Sequence, residues 1–298
     1  MNRIILMLGL MFVALGAYCQ EVELSATNLS SSMLKDKAGN EYGKGSMQKY
    51  TAKAVVPLSK DLDNFGRPII WNLSFNGQLG VLDNKDEAKD LNPDRLVNAS
   101  ANISHTHHLS QKWFLIASLG AGVYAEPDHI RWNTVLVNGA AVFAYHWMPG
   151  VDVGIGGALT NSYGMPMLVP VAYLSWNKRG KYFVEVNMLN GMKIAGGMNL
   201  SDAFKLKLTA FEMDGMSAVI NYNGATRLYT TTMLRSYLQM EYHFAKKSWL
   251  SVGVGNNFLR TSSIRKRKLD SIFKHQSDEE KRRFRPAMML NATVHIGF

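Results

Sequence analysis

The last twelve residues, 287–298 (AMMLNATVHIGF), constrain the fold most. Counting back from Phe298, every second residue is apolar: Ile296, Val294, Ala292, Leu290 and Met288. The residues between them, such as His295, Thr293 and Asn291, are a smaller and more polar set. A period of two describes a β-strand with one greasy face. The rhythm recurs along the chain. In 69–79 Trp71, Leu73, Phe75, Gly77 and Leu79 alternate with Asn72, Ser74, Asn76 and Gln78, and in 96–106 Val97, Ala99, Ala101 and Ile103 alternate with Asn98, Ser100, Asn102 and Ser104.

Cutting this rhythm at turn residues predicts fourteen strands, over 22–34, 47–56, 69–79, 96–106, 113–125, 134–147, 151–160, 168–176, 181–189, 192–199, 204–213, 230–244, 249–261 and 287–298. Twelve remain if 22–56 is not wall. Pro57 should end the second strand, because proline removes a ladder donor. No linker or composition shift divides the chain, so 20–298 reads as one all-β domain. In ending on Phe298 after Ile296 and Val294, the final strand resembles the closing strand of Gram-negative outer-membrane β-barrels. The chain as a whole is similar to a group of uncharacterised outer-membrane barrel proteins. That resemblance implies a closed antiparallel transmembrane β-barrel in the outer membrane. It also implies that Phe298, Ile296 and Val294 form an assembly signal for the barrel-assembly machinery. It brings no activity and no cofactor.

The other end agrees. Met1-Asn2-Arg3, an apolar run 4–17 and then Tyr18-Cys19-Gln20 describe a secretory signal peptide, 1–19, cleaved after Cys19. Lipid attachment at Cys19 is the alternative, disfavoured by the bulky Tyr18. Cleavage removes the one cysteine of the chain, and with it disulfide and thiol chemistry. The net charge of +10 is concentrated in 262–285, with nine basic and four acidic residues. In an exported chain this points to acidic lipopolysaccharide rather than nucleic acid as the partner. No apolar run after Gln20 reaches the ~18 residues of a spanning helix. Only helices and closed barrels satisfy the backbone in lipid. The alternative is a soluble periplasmic sandwich.

Loop lengths and tryptophans favour the barrel. Connections near Met148, Asn177, Leu200 and Ala245 are short, while 126–133, 161–167, 214–229 and 262–285 are longer, as between the periplasmic and outer sides of a membrane barrel. The connections at 190–191 and 57–68 break the rule. Trp71, Trp113, Trp147, Trp176 and Trp249 fall near the inner strand ends and form a candidate aromatic girdle; Trp132 falls at the outer end.

Signatures of enzymes are missing: no GxSxG, P-loop, HExxH or CxxC is present. The glycines around Gly154–Gly157 lie inside strand patterns, not before a helix as dinucleotide binding requires. His105, His107 and His108 give at most two imidazoles on one face, without a third metal ligand. His146 and Asp152 flank the Met148 turn, near Ser118 and Tyr124. They could form a catalytic pair or, as is commoner, a structural ion pair. The reading is a non-enzyme with no catalytic residue, metal or cofactor.

The inner face carries Asn72, Ser74, Asn76, Gln78, Asn98, Asn102, Glu185, Asn187, Lys205, Lys207, Arg235, Gln239, Glu241 and Asn257 as candidate lumen-lining residues, with Asn291 and Thr293. Facing lipid, each Lys or Arg would cost ~2–4 kcal/mol at the midplane. Lys205, Lys207 and Arg235 form either a basic ladder for anions or part of a closed Arg–Glu network. The functional expectation is a narrow pore or transporter for small polar or anionic solutes. The alternatives are a structural or surface-interaction protein with a filled lumen, whose basic loop is an anchor or lid, and, more distantly, a membrane-embedded hydrolase. The oligomeric state is not legible.

Overall fold

The computed structural model describes residues 20–161, 167–176, 181–187, 192–266 and 282–298. The expected signal peptide and the middle of the basic loop lie outside the described residues. The chain forms β1 (Glu21–Lys35), β2 (Glu41–Leu62), β3 (Pro68–Asn84), a one-turn helix α1 (Ala88–Leu91), β4 (Arg95–His108) and β5 (Trp113–Ala125). Then come β6 (Val135–Met148), β7 (Val151–Thr160), β8 (Met167–Trp176), β9 (Tyr182–Asn187) and β10 (Met192–Asn199). The last group is β11 (Phe204–Tyr222), β12 (Ala225–Ala245), β13 (Ser248–Lys266), a short β14 (Arg282–Phe284) and β15 (Ala287–Gly297).

Each strand pairs antiparallel with the next, and β15 closes the ring between β13 and β1. Because β14 continues the line of β15 between the same two neighbours, the wall has fourteen strands. Closure leaves no free edge. The outside of the lower wall is apolar: Leu119, Ile155, Leu168, Leu208, Val252 and Leu290 are all exposed. No helix among the described residues is long and apolar enough to cross a membrane. A closed sheet with a greasy exterior crosses with strands instead.

The strands differ in length from the sequence reading, and for a reason. β2 runs 22 residues and passes Pro57, where a register shift between Pro57 and Ser59 absorbs the missing donor. The stretch expected as a loop over 214–229 is instead an extended hairpin, turning at Asn223 (φ 50°) and Gly224 (φ 73°). Two consecutive left-handed residues make the turn that suits twisted strands.

That hairpin changes the architecture. Among the described residues, β10 pairs with β11 as far as Met213. Beyond it, after an irregularity between Thr209 and Glu212, β11 leaves the wall and crosses the interior. A bulge bends its strand. All six residues from Gly215 to Ile220 are buried, so both faces are covered. Val219 bridges Ala125 of β5 in parallel. With its amide turned to satisfy both ends, Asn98 on β4 donates to the Ser217 carbonyl at 2.6 Å and accepts from its N–H at 3.3 Å. The outer parts of β1–β5 and β11–β14 thus close a second, narrower ring of nine strands. An odd ring of alternating strands must contain one parallel neighbour, and β5–β11 supplies it.

The narrow ring is filled. Leu29, Met47, Leu82, Leu96, Met216, Tyr229 and Met233 pack in its bore, each fully buried apolar side chain contributing ~1.5–3 kcal/mol. Tyr229 donates to Asn92, just after α1, at 2.8 Å. Above, Leu34, Ala88 and Phe284 make a smaller cluster. Arg260 lies 3.5 Å over the Phe284 ring and donates to the Gly45 carbonyl at 2.7 Å. A Cβ on Gly45 would collide with the Asn84 amide and the Phe284 ring.

Candidate functional site

Below the filled bore the interior is open and polar. A cavity of about 580 Å³ occupies the half of the barrel away from the narrow ring, and a second of about 320 Å³ lies beside it. They share Val55, Ser74, Asn76, Gln78 and Asn102 as a boundary. Alternation places these groups: one face of every strand meets lipid, so the polar alternates meet the lumen.

The larger cavity holds six carboxylates (Glu21, Glu23, Glu185, Glu212, Asp214, Glu241) and five cations (Lys49, Lys53, Lys193, Lys207, Arg235). Most face one another. Arg235 reaches Glu212 at 3.0 Å and Asp214 at 2.9 Å. Lys49 donates to the same Asp214 oxygen from the opposite wall. Lys207 meets Glu185 at 3.0 Å and Lys53 meets Glu23 at 3.4 Å. Lys205 sits opposite Glu241 in the β11–β12 register. Ion pairs of this kind neutralise the lumen. Asp214 marks where β11 leaves the wall, so the Lys49–Asp214–Arg235 bridge ties the crossing strand to β2 and β12.

The smaller cavity is different. Among the described residues its wall is amide, hydroxyl and apolar side chains, chiefly from β3–β7, with no Asp, Glu, Lys, Arg or His. It extends from the boundary to Thr160 and Asn161 at the outer end of β7, under the crossing strand at Gly215.

Twelve of the fourteen expected lumen residues border a cavity. Lys205 and Asn257 do not. Asn257 is buried in the wall, and its amide, suitably turned, donates to the Leu259 and Leu234 carbonyls at 3.1 and 3.2 Å. Asn291 and Thr293 border the larger cavity as well. Lys49, Lys53, Glu23, Glu212 and Asp214 were not among the expected residues. The first three lie on the polar alternates of β1 and β2; the last two lie on or beside the hairpin that reads as a loop.

The aromatic expectation needs one correction. Trp71, Trp113, Trp147 and Trp176 stand on the outer face, each partly exposed. Trp249 points inward. It borders the larger cavity and stacks on His295, 5.2 Å between centroids and 7° between planes. The β13 register puts Trp249 on the same face as Ser251 and Gly253. Trp132, 94% exposed, lies in the β5–β6 connection.

His105 stacks on Trp71 at 4.1 Å, and no group of three or more metal ligands occurs among the described residues. His146 Nδ1 does meet Asp152 Oδ1, at 2.5 Å. Its ring is stacked on Phe114 and on His108, which places the pair in a packed aromatic layer. At the closing seam the Phe298 N–H donates to the Gln20 carbonyl at 3.0 Å, and Ile296 and Phe298 are exposed.

A ring of strands greasy outside and charge-compensated inside defines a transmembrane β-barrel. Residues 15–297 match the family described as "Domain of unknown function (DUF6268)", and the chain belongs to that family. No curated protein matches the sequence. Among solved structures, the chain is similar to the COG4313 outer membrane channel from Pseudomonas putida F1, with 11% identity, coverage of 93% of this chain and 95% of that one, and a TM-score of 0.49. It is similar to the P. putida toluene transporter TodX, with 9% identity, coverage of 93% and 90%, and a TM-score of 0.41. It is also similar to the outer membrane protease OmpT from Escherichia coli, with 9% identity, coverage of 93% and 96%, and a TM-score of 0.28.

Proposed function

We propose that this is an exported outer-membrane protein of a Gram-negative bacterium that acts as a narrow channel for small polar solutes, not as an enzyme. The observation that carries this reading is the pair of adjoining polar cavities, about 580 and 320 Å³, at the level of the lipid-facing belt. A barrel that served only as an anchor has no need of a water-sized interior. The bore of the narrow ring is packed with side chains. The path therefore runs off axis, from the larger cavity into the smaller one beneath the crossing strand.

An anion preference set by Lys205, Lys207 and Arg235 finds little support. Lys207 and Arg235 are paired with carboxylates, and Lys205 faces Glu241. A neutralised lumen favours polar solutes over either sign of ion. A second reading is surface interaction, because the filled nine-strand ring presents polar groups such as Lys44, Gln48, Asp83 and Arg95 outward. In that reading the basic stretch 262–285 meets lipopolysaccharide. Planar-bilayer recording of the purified mature protein separates the two. Discrete conductance steps are expected; a folded barrel that passes no current would leave surface interaction as the function.

A further inference from the structure

The two cavities differ in chemistry: the larger is lined by paired charges, the smaller by amides, hydroxyls and apolar groups. On its β3–β4 wall, Ser74 stands opposite Asn102, Asn76 opposite Ser100 and Gln78 opposite Asn98. This is a two-column ladder of amides and hydroxyls. The side-chain oxygens of Asn76 and Gln78 have no hydrogen-bond partner among the described residues. Nor does that of Asn161, which is 2% exposed and closes the far end, its NH₂ donating to the Val137 carbonyl at 3.3 Å. The other side carries Ala140 and Ala158.

We propose that this chamber is a selectivity site for neutral, hydroxyl-rich solutes of polyol or monosaccharide size, an inference that rests on the channel reading above. Three properties lead there. An amide ladder offers donors and acceptors in alternation, which matches a chain of hydroxyls. The facing alanines accept the C–H side of such a molecule, since ligand pockets combine an apolar lining with a few placed polar groups. An ion entering the chamber sheds water without meeting an opposite charge, which is far costlier than exchanging hydrogen bonds. The volume, about 320 Å³, lies at the small end of the ~300–1,000 Å³ typical of ligand cavities.

The test is swelling of proteoliposomes containing the mature protein in isosmotic xylitol, sodium gluconate or N-methylglucamine chloride, three solutes of similar size. Xylitol is expected to permeate at least about tenfold faster than either ion, the equivalent of ~1.4 kcal/mol. Asn76→Asp, and independently Ser100→Asp, should slow xylitol and bring N-methylglucamine to within a few fold of it. Retention of the unboiled gel mobility shows that each variant is folded. Gluconate or N-methylglucamine permeating as fast as xylitol would overturn the neutral-solute site while the channel stands. So would folded Asp variants whose ratios are unchanged. A folded native protein that admits none of the three would remove the channel reading and this inference with it.

Discussion

Asp214 takes Lys49 from β2 and Arg235 from β12 on one carboxylate oxygen. Arg235 has Glu212 in reserve; among the described residues Asp214 is the carboxylate that meets Lys49. Asp214→Asn should therefore strand Lys49, at ~1–3 kcal/mol for a buried group left unsatisfied. That lies below the ~3–5 kcal/mol of a broken dry pair, because the cavity can hydrate the ammonium. The unfolding temperature of the barrel in detergent, read as loss of heat-modifiable gel mobility, should fall. Lys49→Met combined with Asp214→Asn should lose less than the two single changes together. Equal losses would mean that the contact does not couple the walls. At this scale the sequence was legible where alternation held. It showed Asn72, Asn76 and Lys207 on the inner face, and the same count would have shown Lys49. It misled at Trp249, because tryptophan near a strand end suits a lipid girdle as well as a lumen, and only parity within β13 separates them.

The hairpin β11–β12 was hidden by its own burial. Gly215 to Ile220 is covered on both faces, so apolar and polar residues stop alternating and the stretch reads as loop. The signal that would have found it is Asn223-Gly224, the dipeptide most characteristic of a two-residue hairpin turn. Its inward course predicts a cross-link. In a protein produced without residues 1–19, and so without Cys19, Ala125→Cys and Val219→Cys should join under mild oxidation, because the two residues are partners in the parallel bridge. Failure of the pair to join would place β11 in the outer wall instead. The turn between β2 and β3 carries a pH dependence. Partial burial opposes ionisation of Asp63, but the N–H groups of Arg67 and Phe65 and the Arg67 side chain outweigh it, holding the carboxyl below its ordinary value. A carboxyl lowered by folding stabilises above its unfolded pKa and loses that contribution as pH falls through the folded one. Protection of the Phe65 and Arg67 amides, taken as the slowing of their exchange relative to the intrinsic rate at the same pH, should fall on acidification, and in Asp63→Asn it should already be low at neutral pH.

For the molecule as a whole, paired lumen charges predict a reversal potential near zero across a potassium chloride gradient. Glu185→Gln, which frees Lys207, should move it toward chloride. An unchanged potential in that variant would show that ions do not pass this wall. Strand number and the closed all-β wall were legible because a membrane barrel needs one greasy face on every strand. The second ring was not, since nothing in a period of two tells which strands outrun the bilayer. Their lengths carry a consequence. At ~3.3 Å per residue and a tilt of about 40°, the 22 residues of β2 rise roughly 55 Å, against an apolar band about 25 Å tall. The narrow ring is a chimney standing to one side of the roof, and its tip at Asp36–Asn40 is remote from the vestibule. A peptide tag spliced into that tip should be readable by antibody on intact cells while solute flux continues unaltered. What the cell displays and what it admits would then be free to diverge in evolution.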